Sequence, residues 1–491
     1  MEDQIMKKTY QYIALFAAVL FTAACTSSFE EVNTDPDNPN AALVPSTNVL
    51  AFCERYASDN LFDEWFDLNE SCGFSGQIAK WMYTEEGYYD FRPNVNSSSW
   101  NVCYRTAANL QAIIDKEPEG SNMWAAATIF QCQIFQIVSD RWGNIPYSEA
   151  GKLADGIAQP KYDKQSEIYP DLLKRLATAV AALDESGDDL GSGDVFLNGD
   201  ISAWKKYGNA LRLRIAARIA NIDAADAQAV FQSVAAKGIP ESNDENCFFE
   251  AWGGEYGEPW ADYYQTRKLE YGISKLMVET LQGLSDPRLP VYAEPTANYL
   301  AGKSDVPYVG YQNGQEAQAN TSAHSPIGNR FQNKSGLSGF SPWLRSCEPY
   351  FAIAYAASKG WNAGMTQQAA YEKAVSLSLE ENGVDDAEIV AYLAGPGKYD
   401  GSQEQLFTQW WISLYKNGQE AWSVYRMSGY PTGNVIAPSS RYPNHNVPPM
   451  AYSYPDTEAN LNKANYQVEA AAEVDYFWGK KMWWDTRTGI N

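Results

Sequence analysis

Helical periodicity dominates the pattern of apolar and polar positions along the chain. In residues 201–220, apolar side chains recur every three or four positions from Trp204 to Ile219, which places them on one face of an α-helix. Residues 403–427 are expected to form a helical pair divided by a Lys-Asn-Gly stop. Helix pairs in series favour a mainly α, tetratricopeptide-like fold, although no fixed repeat period is visible. The same spacing predicts further helices at about 46–58, 62–82, 97–116, 121–140, 163–184, 270–283, 347–358 and 366–380.

Two long segments break this pattern. At about 240–345 and at 429–462, Pro, Gly, Asn, Ser and Tyr interrupt every helical period. Irregular segments of this length in a compact body are usually functional. Residues 123–138 are instead apolar nearly all round, which predicts a helix at the centre of the core. Because no Gly/Ser-rich or charged linker is visible, one large domain over residues 46–491 is favoured over two intimate ones.

The first residues have the three-part layout of a secretory signal peptide. Two lysines form a positive end, a short apolar run follows, and two alanines precede Cys25. We therefore expect residues 1–24 to be cleaved and Cys25 to carry lipid, as in a bacterial lipoprotein. An ordinary signal peptide followed by an incidental cysteine is the alternative. Met6, directly before the two lysines, is a more natural start than Met1.

Composition restricts the classes of partner. The formal net charge is −24 and the pI is near 4.5, which argues against binding to nucleic acid or to anionic lipid. The apolar run before Cys25 is too short to span a bilayer, so membrane contact is expected through the lipid anchor alone. Residues 25–45 then form an acidic spacer between the lipid and the folded body.

The remaining cysteines show no CxxC spacing. A chain of this length needs no covalent staples, so free buried thiols are favoured over disulfides. These cysteines are Cys53, Cys72, Cys103, Cys132, Cys247 and Cys347.

Motifs for catalysis are missing from the sequence. No HExxH, CxxC, Walker-loop or GxSxG pattern occurs, so neither a cofactor nor a metal site is expected. His324 and His445 are the only histidines, and both fall in predicted loops, where a histidine is more often a solvated surface residue than a catalyst. Abundant carboxylates leave a glycosidase acid/base pair open by residue type, but no pair stands out.

Aromatic residues give the most suggestive signal, with 16 Trp and 32 Tyr. Flat rings beside amides and carboxylates suit a sugar, because its C–H faces stack on rings while its hydroxyls need donors and acceptors. For any single ring, packing in the core is still the more frequent role. One cluster, in residues 81–100, contains Trp81, Tyr83, Tyr88, Tyr89 and Trp100, and a second, in residues 252–264, contains Trp252, Tyr256, Trp260 and Tyr263.

Seven stretches together resemble the SusD/RagB-like outer-membrane lipoproteins of Bacteroidetes, in the SusD-like branch with an NTDPNNP-type segment after the lipid cysteine. No single stretch is diagnostic, but they run in family order over nearly the whole mature chain. They are FEEVNTDPDNP at 29–39, DRWGNIPYSEA at 140–150, WKKYGNALRLRIAARI at 204–219, SDPRLPVY at 285–292, EPYFAIAYAASKGW at 348–361, QWWISLYKNGQEAWSVYRMSGYP at 409–431 and YPDTEANLNKAN at 454–465.

The resemblance implies an α-helical fold with four tetratricopeptide-like helix pairs and long irregular, ligand-facing insertions. It implies a non-catalytic lipoprotein of the outer membrane that faces the cell exterior. Such a protein binds an oligosaccharide or polysaccharide and delivers it to a SusC-like TonB-dependent transporter. By position, the resemblance favours the two aromatic clusters as the ligand-binding region. Capture of a peptide or another non-glycan nutrient is the main alternative, and a surface glycosidase or a purely structural lid for the transporter are further ones.

Overall fold

Long helices make up most of the structure. It is a computed structural model that describes residues 44–251, 257–267, 270–317, 320–332, 339–471 and 478–491, so Cys25 and the predicted signal peptide lie outside the described residues. The helices of eight or more residues with α geometry are α1 (Ser46–Leu61), α2 (Pro93–Lys116), α3 (Asn122–Trp142), α4 (Gln165–Ala182), α5 (Ile201–Ile219), α6 (Ala224–Val234), α7 (Pro259–Arg267), α8 (Lys275–Gly283), α9 (Glu348–Ser358), α10 (Gln367–Glu381), α11 (Asp386–Ala394), α12 (Gln403–Ser413), α13 (Gly418–Ser428) and α14 (Lys463–Ala470).

The helices pack in series along the chain. From α1 to α6, each helix packs mainly against its neighbours in sequence. Helix α9 then packs on α5 and α10, and α12 packs on α9 and α13. This mainly α fold built of successive helix pairs is the one that the sequence predicts.

Helix α3 lies at the centre of the core, as its apolar sequence predicts. Only Trp124 and Ile137 among its residues are not buried. The helix begins where the Ser121 hydroxyl accepts a hydrogen bond from the Trp124 N–H at 3.2 Å, and it ends at Gly143, whose φ of 92° suits glycine alone. Helices α2 and α4 cover it on either side.

Short antiparallel strand pairs fasten the irregular segments to the helical body. Strand β1 pairs with β5, β2 with β3, and β4 with β6. The strands are β1 (Ile78–Lys80), β2 (Ile145–Pro146), β3 (Tyr162–Asp163), β4 (Cys247–Ala251), β5 (Tyr271–Ile273) and β6 (Gly339–Leu344).

Two predicted helices are wrong in part. The helix predicted at 62–82 is instead a π-helix at Glu64–Ser71, a single turn at Cys72–Phe74 and strand β1. The helix predicted from 270 begins only at Lys275, because β5 occupies the residues before it. Strands β1 and β5 form because they pair with each other. The spacing of apolar residues within one segment cannot reveal a partner so distant in sequence.

Several shorter helices escaped prediction. The spacing predicts no helix at the positions of α6, α11 and α14, and α7 lies inside the segment predicted as irregular. The remaining short helices are Leu289–Tyr292, Ala297–Leu300, Asn329–Gln332 and Asp456–Leu461, with 3₁₀ turns at Thr84–Tyr88, Lys152–Asp155, Gly191–Gly193 and Asn243–Glu245.

The six cysteines after Cys25 are all free and buried, as predicted. One hydrophobic cluster runs from Leu50 to Trp484 and includes residues of nearly every helix, while a small second cluster contains Ala79, Trp81 and Tyr311. Across the described ranges, no helix combines the length and the apolar character that a bilayer-crossing segment needs.

Candidate ligand-binding site

The pairing of β1 with β5 brings the start of the first predicted aromatic cluster next to the residues that follow the second. Ile78 lies opposite Ile273, and Lys80 lies opposite Tyr271. Just beyond the pair, the Trp81 N–H donates to the Glu270 carbonyl at 2.8 Å. Because side chains alternate along a strand, Lys80 and Trp81 leave the pair on opposite faces.

A buried group of charges surrounds Lys80. Its Nζ lies 2.7 Å from Oε2 of Glu86 and 3.0 Å from Oδ1 of Asn69. Arg92 approaches Glu86 from the other side, with Nη2 2.7 Å from Oε1. Burial alone would raise the pKa of Glu86, but the two cations hold it below its ordinary value, so the carboxylate stays charged. We call Asn69, Lys80, Glu86 and Arg92 the Lys80 cluster.

Aromatic rings border the Lys80 cluster. The Lys80 ammonium lies 6.0 Å from the ring centre of Trp65 and 5.3 Å from that of Tyr271. Tyr263 packs edge-on against Tyr271 at 5.4 Å, and its hydroxyl donates to the Glu270 carboxylate. Trp65 and Tyr263 are half-buried, whereas Tyr271 is buried. Two partly accessible rings therefore stand beside a fixed set of polar groups.

The opposite face of the strand pair is occupied by packing. Trp81 is 1% exposed and lies against Gly272, where a Cβ would collide with its ring. Tyr311 completes this small cluster, and His324 lies edge-on to Tyr311 at 5.2 Å between ring centres. Among the described residues, the indole N–H of Trp81 finds no hydrogen-bond acceptor.

Two tyrosines in left-handed backbone conformation flank the 3₁₀ turn at Thr84–Tyr88. Tyr83 has a φ of 51° and Tyr89 a φ of 72°, values that are uncommon for bulky residues. Tyr89 is buried, and its hydroxyl accepts from the Ala437 N–H at 3.0 Å. The Tyr83 side chain, by contrast, is 59% exposed.

The predicted site residues therefore differ widely in accessibility. Tyr83 and Tyr263 present their rings partly to solvent, whereas the other described candidates are buried, which favours a packing role for them. Trp100 lies in α2, where it packs edge-on against Trp142 at 5.1 Å and is separate from the strand pair. Trp252 and Tyr256 lie outside the described residues. The buried candidates are Trp81, Tyr88, Tyr89, Trp100 and Trp260.

Sequence reasoning did not single out Trp65 or the Lys80 cluster. Both Trp65 and Lys80 fall in the segment predicted as one helix at 62–82, and that prediction gives neither of them a partner. Only the β1–β5 pairing places them side by side. His445 also differs from expectation, because it is buried and its ring stacks on Trp478 at 4.4 Å between centres.

A separate cavity of about 690 Å³ lies between α2, α3 and α4. Tyr104, Phe135 and Tyr147 supply aromatic walls. The Tyr147 hydroxyl donates to Asp171 at 2.6 Å and accepts from Arg175 at 3.0 Å, so these polar groups of the cavity already bond to one another. The volume of the cavity lies within the range of small-molecule sites, which makes it the second candidate region. Nowhere in the described ranges do three metal-ligating side chains converge.

Comparison with known proteins gives one consistent result. The model of the family SusD-like_2, described as "Starch-binding associating with outer membrane", matches residues 47–455. A solved structure named a chitin-binding protein is 29% identical with a TM-score of 0.80, and the match covers 90% of this chain and 100% of that one. No curated protein matches the chain.

Two further solved structures show the same fold. A SusD-like protein from Bacteroides thetaiotaomicron is 24% identical with a TM-score of 0.77, covering 91% of this chain and 100% of its own. A chitin-binding SusD homologue from Flavobacterium johnsoniae is 22% identical with a TM-score of 0.74, covering 90% and 98%.

Proposed function

Because the chain belongs to the SusD-like family of starch-binding proteins that associate with the outer membrane, we propose that it is a cell-surface lipoprotein that captures an oligosaccharide or polysaccharide. In this proposal Cys25 carries the lipid, the body faces the cell exterior, and the captured glycan passes to a SusC-like TonB-dependent transporter. The protein binds its ligand and does not cleave it.

The observation that carries the site assignment is the pair of half-buried rings, Trp65 and Tyr263, beside the Lys80 cluster. Arg92 is the accessible member of the cluster, and Glu86, backed by buried Lys80, holds it in place, so a sugar stacked on either ring would meet a guanidinium that is already ordered. Binding then requires little side-chain ordering, which favours affinity. We assign Tyr83 to the same ligand surface, because it is exposed and lies three residues beyond Lys80.

Two of the buried aromatic candidates lie next to the elements that carry this surface. Trp81 and Trp260 fix β1 and α7, the elements that present Lys80 and Tyr263. Trp252 and Tyr256 precede α7 in the chain and stay predicted contacts. A chitin-type glycan is the first ligand to test, because the relative with 29% identity is named a chitin-binding protein.

The test is a binding screen of the protein without residues 1–25 against glycans that include chitin and starch oligosaccharides, with reducing-sugar release measured in the same wells. The proposal predicts binding to at least one glycan with no release. Release of sugar would support the glycosidase alternative, and binding of peptides alone would support the non-glycan one. If nothing binds while the full-length protein still copurifies with a large outer-membrane barrel, the structural-lid alternative is favoured.

A further inference from the structure

Strand β4 has one edge that no other strand covers in the part of the chain that the structure describes. Its only pairing there is with β6, in a two-stranded sheet. Phe248 of β4 lies opposite Pro342 of β6, and proline has no N–H to donate. The Pro342 carbonyl accepts from the side-chain amide of Asn417 at 3.0 Å, so it points away from β4.

This geometry fixes the direction of the backbone groups of β4. In an antiparallel pair, hydrogen-bonded and non-hydrogen-bonded positions alternate. Because Phe248 and Pro342 form a non-hydrogen-bonded pair, Glu250 and Phe340, two positions further along, form another. The N–H and C=O groups of Phe248 and Glu250 therefore point away from β6, toward the free edge.

A cavity of about 710 Å³ lies beside that edge. The cavity is lined by residues 195–198, by the start of α5, and by residues 243–246 and 248–250. Within the described ranges, no backbone hydrogen bond joins residues 195–198 to Phe248 or Glu250. With respect to the described residues, the edge thus has both unpaired backbone groups and space beside them, which are the two requirements for adding a strand.

The charges of the cavity select among possible occupants. Every charged side chain in its lining is acidic, namely Asp200, Asp244, Glu245 and Glu250. Lys206 of α5 pairs with Glu245, but the other three carboxylates have no cation among the lining residues. Pairing of two β4 edges from two copies would bring like charges together. A strand that carries basic side chains would instead be attracted.

We propose that β4 binds an extended basic peptide segment as a third strand of the β4–β6 sheet. The backbone of the peptide pairs with Phe248 and Glu250, and lysine or arginine side chains reach the surrounding carboxylates. This peptide site is separate from the glycan site at the β1–β5 pair and goes beyond the proposed function.

The test measures fluorescence anisotropy of a labelled hexapeptide of alternating lysine and valine against the full-length protein. Two changes test backbone pairing: a peptide N-methylated at alternate residues, and the variant Glu250→Pro. The variant Glu250→Gln tests charge attraction, and its control is Glu388→Gln on the exposed face of α11. Proline is tolerated where an edge N–H points outward, so Glu250→Pro keeps the pairing with β6.

The proposal predicts that N-methylation and Glu250→Pro each weaken binding by about tenfold or more. Glu250→Gln weakens it measurably, and Glu388→Gln leaves it unchanged. Glycan binding is the same in all variants, so failure of this proposal is distinct from failure of the glycan proposal. If circular dichroism shows that Glu250→Pro is unfolded, the methylated peptide and the two glutamine variants test the proposal without it.

Three results of the peptide-binding assay would overturn the proposal. The parent peptide fails to bind, or the methylated peptide binds as tightly as the parent, or Glu388→Gln weakens binding as much as Glu250→Gln does. A dimer in sedimentation that Glu250→Pro abolishes would assign the edge to a second copy of the chain instead.

Discussion

Arg214 and Glu348 form a buried ion pair that joins α5 to α9, with Nη2 of Arg214 2.7 Å from Oε2 of Glu348. The pair belongs to a chain of charges inside the helical body. Arg218 contacts Glu420 and lies 3.4 Å from Asp140, so α3, α5, α9 and α13 are linked by one polar network. This network holds the scaffold that carries the candidate site.

Removal of one charged side chain from this network is expected to destabilise the folded protein. Glu348→Ala leaves the Arg214 guanidinium without its closest carboxylate in the interior, and we expect it to lower the free energy of unfolding by about 3–5 kcal/mol. The control is Asp59→Ala, which removes a half-exposed pair with Arg55 and is expected to cost about 1 kcal/mol or less. Urea unfolding measures both, and equal costs would contradict the assigned role of the network.

The stability of the protein is expected to depend on pH through Asp67. Burial raises its pKa from 3.8 to about 7, although the Gly418 N–H and Lys416 oppose the shift. Since the folded pKa exceeds the unfolded one, this contribution to stability is full below about pH 4 and is lost as the pH rises through about 7.

Melting temperatures of the wild type and Asp67→Asn at about pH 5 and pH 8 measure this effect. Asn keeps an oxygen that can accept from Gly418 but cannot ionise. We expect the decrease in melting temperature from the lower to the higher pH to be smaller in the variant. An equal decrease in the two proteins would mean that Asp67 is not a source of the pH dependence.

Gly272 is expected to tolerate no side chain. A Cβ there would collide with the Trp81 ring and lie 2.8 Å from the Ser325 carbonyl, so Gly272→Ala should destabilise the protein by about 1–3 kcal/mol. Gly283 at the end of α8 has no atom within 4 Å of the corresponding Cβ, and Gly283→Ala is the matched control. Thermal unfolding compares them, and a neutral Gly272→Ala would show that Trp81 can move.

The cysteine thiols are expected to be unreactive in the folded protein. Burial raises the pKa of Cys103 to about 12 and that of Cys132 to about 11, so thiolate is scarce at neutral pH. A thiol reagent such as Ellman's should label none of the six described cysteines until denaturant is added, and a reductant should leave the melting temperature unchanged. Rapid labelling of the native protein would contradict this burial.

The helices could be predicted from sequence because the spacing of apolar residues in each helix depends on that segment alone. The spacing in residues 201–220 and the apolar character of α3 each determine an element without knowledge of its neighbours. Arg218 of α5 is charged, and the spacing gives no reason to bury it, yet it is buried, because carboxylates from α3 and α13 neutralise it. A partner supplied by a distant segment cannot be read from one helix.

The candidate site was predictable only by region. The predicted aromatic clusters include Tyr83 and Tyr263 of the proposed site, but composition could not separate exposed Tyr83 from buried Trp81 two residues earlier. Trp81 directly follows β1 and packs on Gly272 of β5, whereas Tyr83 adopts a left-handed backbone before the 3₁₀ turn and leaves the strand direction; β1 itself exists because β5 pairs with it. Trp65 became a candidate for the same reason.

The central claim is that glycan is bound beside the Lys80 cluster. It is tested most directly by calorimetric titration of the glycan found in the screen into the wild type, Trp65→Ala, Tyr263→Ala and Tyr83→Ala, with Tyr147→Ala in the α2–α4 cavity as the matched aromatic control. We expect each of the first three changes to weaken binding by about 1–3 kcal/mol, while Tyr147→Ala binds as the wild type does. The melting temperature of Tyr83→Ala is expected to stay unchanged, because its ring is exposed. Full affinity in the first three variants, together with loss of binding in Tyr147→Ala, would contradict the claim and assign the ligand to the cavity.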